Sequence, residues 1–218
     1  MKHFLAKIRL FFLSFFLLVF IQTAKAQSDW PDSILWWKAN NLRVIQINLP
    51  AYEAATLDPD SLVADLMHYS ANTLIINAGG IMAFYPTQLD YHFTNPYVKE
   101  DMLGEVIAKC HENGIKVIVG FDFSRAHKSI FEMHPDWFYI SSEGEHITNE
   151  DRYTVSINAP YEQEQLFNIV EEVIELYPID GVFINMPGYQ TSNPISGNTM
   201  ASTKTLMTKS ALPNSAAA

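Results

Sequence analysis

The sequence predicts an α/β protein whose elements follow the order of the first four strand–helix units of a (β/α)₈ barrel, a partial TIM barrel. Three observations carry this. Four short runs, at 42–49, 73–78, 115–121 and 181–186, have the length and the Val, Ile and Phe content of strands. Helical patterns, with apolar residues every three to four positions, separate consecutive runs, as parallel strands require, because such strands are joined only by long crossovers. Polar side chains then stand where each strand should stop: Asn48, Asn77, Asp122 and Asn185. In a barrel of this kind the carboxyl ends of the strands form the functional face, and a full set of eight units takes about 250 residues.

The third run is the clearest. Val117, Ile118 and Val119 are consecutive, β-branched and uncharged, the pattern of a strand covered on both faces. It ends in Asp122, Ser124 and Arg125. The first run, with Val44, Ile45 and Ile47, is stopped by Pro50. Asp58 and Pro59 read as N-cap and first residue of a helix. That helix should bury Leu62, Val63, Leu66, Met67 and Tyr69. The second run leads through Asn77 to Gly79-Gly80, a pair suited to close approach by a ligand or to a tight turn.

Residues 81–99 are longer than a plain loop inside a compact domain. They are expected to cover the site entrance and to present Tyr85 and His92. Asp101 caps the next helix, with Leu103, Val106, Ile107 and Cys110 inward and Gly114 at its end. Beyond Arg125 comes His134-Pro135-Asp136-Trp137-Phe138. Loops supply sites disproportionately, so His134 reads equally as a packed histidine or as a ligand-facing one with Trp137. A turn is expected at 142–145 and an extended piece at 153–158. Pro160 then opens a helix to about Tyr177, with Leu166, Ile169, Val170, Val173 and Ile174 buried, ahead of the fourth strand.

Lys2, Lys7 and Arg9 precede an apolar run over 10–21, and Ala24-Lys25-Ala26 supplies a small-x-small cleavage site. Residues 1–26 are therefore expected to be a signal peptide cut between Ala26 and Gln27, with the mature chain secreted or periplasmic. The run is shorter than the ~20 apolar residues that span a bilayer. Cleavage removes Lys2, Lys7, Arg9 and Lys25 and no acidic residue, which moves the net charge from −10 to −14. Such a balance argues against nucleic acid or an anionic membrane as partner. Cys110, the only cysteine, has no partner within the chain for a disulfide. No metal-ligand cluster, phosphate loop or nucleophilic triad is recognisable, so no cofactor is expected. Trp30, Trp36 and Trp37 suit either a sugar-stacking surface or, the commoner use of aromatic rings, a segment closing the bottom of a sheet.

Several stretches together carry a family resemblance. They are Asn41-Leu42-Arg43-Val44-Ile45-Gln46, Asn77-Ala78-Gly79-Gly80-Ile81, Ala83-Phe84-Tyr85-Pro86, Gly120-Phe121-Asp122-Phe123-Ser124, His134-Pro135-Asp136-Trp137-Phe138 and Asp180-Gly181-Val182-Phe183-Ile184-Asn185-Met186. In order and spacing, over about residues 36–192, they resemble the N-terminal barrel half of the hypothetical glycosyl hydrolase 6 family. These are secreted bacterial proteins distantly related to α-L-fucosidases and β-galactosidases. The resemblance implies a glycosidase-like barrel acting on carbohydrate.

Glycoside hydrolysis ordinarily needs two carboxyl groups flanking one bond. Asp122 is the carboxylate best placed for it, with Arg125 beside it as a possible counter-ion or as half of a plain structural pair; Asp136 and Glu143 are less well placed. In the related fucosidases the fourth strand ends in an aspartate nucleophile, whereas this chain has Asn185, which can only hydrogen-bond a sugar. The expected sugar-facing set is Asn48, Asn77, Tyr85, His92, Arg125, His134, Trp137 and Asn185 around Asp122. A non-catalytic carbohydrate-binding barrel is the alternative, and an inactive truncated product is the third reading.

From Asn193 to Ala218 the chain holds no aromatic and no acidic residue. That composition suits a disordered tail. It also suits a shifted reading frame. Read one nucleotide earlier, Met200-Ala201 gives Gly and Met207-Thr208 gives Asp. Neighbouring junctions then permit Tyr-His-Gly and, further on, Lys-Arg-Phe, which resemble the family's continuation after its fourth strand. Residues 27–192 are thus expected to be half a barrel, unstable or aggregating alone, because half a barrel leaves strand edges and apolar helix faces open.

Overall fold

A computed structural model describes residues 36–38, 41–141 and 144–188. The chain divides into two units, one up to Leu42 and one from Arg43 onward. In the first, residues 36–38 form a single 3₁₀ turn in which Lys38 Nζ lies 5.4 Å from the centre of the Trp37 ring. The expected signal peptide, Trp30, Glu143 and the tail lie outside the described residues.

The second unit is built on a parallel sheet of four strands. In chain order its elements are β1 (Val44–Ile47), α1 (Pro59–His68), β2 (Thr73–Gly80), α2 (Met102–Glu112), β3 (Lys116–Asp122), β4 (Arg125–His127), α3 (Lys128–Met133), β5 (Thr148–Asn149), β6 (Arg152–Thr154), α4 (Leu166–Leu176) and β7 (Gly181–Asn185). The large sheet runs β1-β2-β3-β7, all parallel. A small antiparallel sheet, β4-β6-β5, is inserted between β3 and α4. Strands of two and three residues are too short for alternation to mark them in the sequence, and of this insert only the 153–158 stretch carries an extended pattern.

Local chemistry explains the helix ends. Asp58 caps α1 by accepting from Ser61 N at 3.1 Å, with Pro59 in the first position, where its missing N–H goes unused. Asp101 caps α2 through Gly104 N at 3.1 Å, and Gly114 follows that helix at φ +70°. Leu103, Val106, Ile107 and Cys110 point inward from α2 as their spacing requires. They meet Leu74, Ile76, Val117 and Val119 of the strands and Ile169 and Val173 of α4 in one continuous core.

Three expectations of burial fail. Met67 in the last turn of α1, Tyr69 just after it and Ile174 on α4 are all more than 45% exposed, and so is Val44 on β1. On the sheet, Ile75, Ile118 and Phe183 are only half-buried, so β3 is covered on its helix side but not on both faces. Among the described residues, β1 and β7 each pair on one side only. Periodicity identifies which residues are apolar. It does not reveal which of them the rest of the fold covers.

At the foot of the sheet Asp180 ties three elements together. Its carboxylate accepts from Lys116 Nζ at 2.8 Å and from Val117 N at 2.9 Å, and lies 2.7 Å from His111 Nε2. Burial pushes its pKa upward, but the bonds from Lys116, Val117 and His111 outweigh this and hold it below the usual carboxylate value. Such a group stabilises the fold above the unfolded pKa, and that gain is lost as pH falls through the lower, folded pKa. Asp180→Asn should therefore cost about 1–3 kcal/mol at pH 7. The difference from wild type should shrink in urea melts below about pH 4. An undiminished gap at pH 3 would remove the charge from the explanation.

Candidate active site

The four polar strand ends meet. Asn48, Asn77, Asp122 and Asn185 all line one cleft of about 290 Å³ at the carboxyl end of the sheet. Register makes this so: Asn77 stands opposite Gly120, and Asp122 opposite both Gly80 and Asn185. Met82 and Phe84, from the segment after β2, form an apolar wall.

Asp122 is held at one oxygen. Its Oδ1 accepts from Ser124 N at 2.9 Å and Ser124 Oγ at 2.6 Å, and its Oδ2 has Asn185 Nδ2 at 3.5 Å. Asn77 Oδ1 accepts from Leu49 N at 2.9 Å and so fixes the exit of β1, while Asn48 accepts from Gln46 Nε2 at 3.0 Å. Both carboxamides still line the cleft.

The remaining expected site residues fall elsewhere. Tyr85 and His92 are core residues, fully buried and 2% exposed respectively. The Tyr85 hydroxyl donates to Glu172 Oε2 at 2.6 Å and lies 3.4 Å from His92 Nδ1, while His92 Nε2 accepts from Gly80 N at 3.2 Å. Burial pushes the His92 pKa down to about 3, so the ring is neutral and serves as an internal strut. Glu172 of α4 also accepts from Thr87 Oγ1 at 2.6 Å and Gln88 N at 2.7 Å, so this one side chain pins the long segment to the helix. That segment is packed structure more than a cover, because its polar atoms find partners inside.

Trp137 is 7% exposed and stacks on His134, ring centres 3.8 Å apart, and its other neighbour is Tyr161 at 5.8 Å. Neither Trp137 nor His134 lines the cleft. Arg125 is half-buried on β4, and no ion pair joins it to Asp122 among the described residues. Asp136 is exposed on a short 3₁₀ turn. Of the glycine pair, Gly79 lines the cleft, while Gly80 ends β2 at φ +98°, where a Cβ would run into the backbone of Asp122. Gly79 faces the His92 ring.

Two site residues had no signal in the sequence. Glu162 lies in a π turn, Tyr161–Gln165, that leads into α4. Acidic residues in a first helical turn ordinarily answer the helix dipole and attract no notice. Here the buried Tyr161 hydroxyl donates to Gly80 O at 2.7 Å, and Gly80 pairs with Asp122. The backbone thereby brings Glu162 toward the end of β3, although its side chain is not part of the cleft's lining. Burial and then the charge of Asp122 push its pKa up to about 7. The other residue is Arg152 of β6, which lines the cleft.

These features define an α/β protein with a polar cleft at the carboxyl ends of parallel strands, Asp122 in its lining and a second carboxyl group, Glu162, raised toward neutrality partly by the charge of Asp122. The chain belongs to the hypothetical glycosyl hydrolase 6 family, whose model matches residues 58–186. No curated protein matches it. Among solved structures it is similar to α-L-fucosidase isoenzyme 2 from Paenibacillus thiaminolyticus, with 18% identity and a TM-score of 0.56, over 68% of this chain and 24% of that one. It is also similar to a hypothetical protein from Ruminiclostridium thermocellum ATCC 27405, with 12% identity and a TM-score of 0.51, over 65% of this chain and 74% of that one. The chain thus spans about a quarter of the fucosidase's length.

Proposed function

We propose that this chain is part of a secreted glycoside hydrolase, in which Asp122 and Glu162 are the carboxyl pair that cleaves an O-glycosidic bond. The observation that carries the reading is Asp122 in the lining of the cleft at the end of β3, with a second carboxyl group, Glu162, near enough to feel its charge. With its pKa near 7, Glu162 keeps a proton at neutral pH that it can give to the departing glycosidic oxygen. Asp122, its Oδ1 occupied by Ser124, offers Oδ2 to the anomeric carbon or to the attacking water. Water supplies the hydroxyl that ends on the sugar, and the aglycone leaves as an alcohol. Asn48, Asn77 and Asn185 are suited to ring hydroxyls, since a carboxamide both donates and accepts.

The expected signal peptide supports export. The open edges of β1 and β7 and the half-covered inner face of the sheet support a half-barrel that further strand–helix units complete. On this reading the 218-residue product self-associates. Size-exclusion chromatography should show aggregates or a poorly cooperative melt, and a soluble monomer with one sharp transition would count against it. Sequencing the DNA beyond codon 192 tests the shifted frame: a continuing open frame with further strand–helix repeats supports it, and an early stop excludes it.

Asn185 favours a second reading, a barrel that binds carbohydrate without cutting it, because a carboxamide stands beside Asp122 where an acid would complete a pair on adjacent strands. A panel of 4-nitrophenyl glycosides separates the two. Hydrolysis by wild type, abolished in Asp122→Asn with binding retained, supports the enzyme. Binding by both forms and hydrolysis by neither supports the binder.

A further inference from the structure

We infer that the sugar bound in this cleft carries a negative charge, a uronate carboxylate or a sulfate ester, and that Arg152 receives it. The inference rests on the glycoside reading of the cleft. The whole chain is acidic, with a formal net charge of −10, so its general field repels anions. Yet a guanidinium lines the cleft beside four carboxamides, Gln46, Asn48, Asn77 and Asn185, and Asp122. It is not there to neutralise Asp122, since no ion pair joins the two among the described residues.

Arg152 is also incompletely satisfied. Its Nε is buried without a hydrogen-bond partner, and the nearest carboxylate oxygen, Asp151 Oδ1, stands 3.7 Å away. Asp151 is itself shared, with His127 Nε2 at 3.5 Å, and is half exposed. A buried donor left unbonded is costly, and it marks a guanidinium that the fold does not saturate; the side chain is 32% exposed, so its outer N–H groups are the ones an anion in the cleft would meet. The planar fork of arginine suits two parallel bonds to a carboxylate or sulfate.

The mounting is rigid. Arg152 pairs across strands with His127 on one side and Asn149 on the other. His127 is in turn stacked on Phe93, ring centres 3.6 Å apart. Opposite residues on paired strands share a face, and so do alternate residues of one strand. Arg125, opposite Thr154, therefore shares the face of Arg152 and adds a second positive charge to the field there.

Calorimetric titration with methyl β-D-glucuronide, glucose 6-sulfate and methyl β-D-glucoside tests this. At low salt one of the charged sugars should bind about tenfold or more tighter than the glucoside, with the better one identifying the anion. The preference should weaken as salt is raised, because Arg152 is partly exposed. In Arg152→Ala the ratio of charged to neutral affinity should fall to about one, and in Arg152→Lys it should fall between, because lysine keeps the charge but loses the fork. Equal binding of charged and neutral sugars by wild type overturns this inference and leaves the glycoside reading standing. A preference that survives Arg152→Ala overturns the assignment to Arg152. Binding of none of the three sugars overturns the glycoside reading and this inference with it.

Discussion

Glu162→Gln is expected to lower the hydrolysis of alkyl glycosides at pH 7 by about 10²–10⁴-fold, the usual worth of a positioned general acid. On 4-nitrophenyl glycosides the loss should be much smaller, because nitrophenolate departs with little help from a proton. Equal losses on both substrates would mean that Glu162 does not protonate the leaving group. A second readout needs no substrate. The pKa of Glu162 is raised to about 7 by burial and by the charge of Asp122. The folded state therefore binds more protons than the unfolded state between about pH 4.5, the ordinary glutamate value, and about pH 7. Stability attributable to this group falls as pH rises through that window. Glutamine has no such penalty, so Glu162→Gln should gain on wild type between pH 4.5 and 7. The gain should be about 1–3 kcal/mol, since a tenfold change in proton affinity is worth about 1.4 kcal/mol and partial exposure screens some of it. In Asp122→Asn the window should move to lower pH, because one of its two causes is gone. A constant difference between wild type and Glu162→Gln from pH 4 to pH 8 would show that the carboxyl is not raised at all.

Gly80→Ala should unfold the protein or bring it close to unfolding. At φ +98° an alanine is strained in any surroundings. A Cβ there would lie 2.5 Å from the carbonyl carbon and 2.6 Å from the amide nitrogen of Asp122 and would overlap its carbonyl oxygen. Backbone on a central strand cannot swing aside as a flexible side chain can. The combined effect should exceed about 4 kcal/mol, the exceptional end for one substitution and a large part of the 5–15 kcal/mol that holds a typical domain together. Gly114→Ala is the matched control. It too has a positive φ, +70°, but nothing lies within 4 Å of its Cβ position, so it should cost only about 1 kcal/mol. Urea melts of both variants give the comparison, and similar costs would show that the contact with Asp122 is not tight. Because the strained residue adjoins Asp122, any Gly80 variant that does fold should also bind sugar poorly.

The amino-acid sequence alone determined the alternation of parallel strands with helices, the caps at Asp58 and Asp101, the glycine stop at Gly114, the inward face of α2 and the polar strand ends Asn48, Asn77, Asp122 and Asn185. Each is a local property: a side chain acts on backbone within a few residues of itself, or a strand ends where its apolar run ends. The strand ends converge because parallel strands in sequence order bring their carboxyl ends to one edge.

Tertiary structure decided what those residues face. Tyr85, His92 and Trp137 carry chemistry suited to sugars, and nothing in their neighbours along the chain distinguishes a ring turned toward a cleft from one buried against Glu172, Gly80 or Tyr161. Conversely, Glu162 and Arg152 look like ordinary surface charges in the sequence. They reach the site only because the Tyr161 hydroxyl ties the start of the α4 region to Gly80, 81 positions earlier, and because β6 pairs back onto β4. The environment that sets a carboxyl's proton affinity or leaves a guanidinium Nε without a hydrogen bond is assembled from residues far apart in the chain, and it exists only once the fold has brought them within a few ångströms.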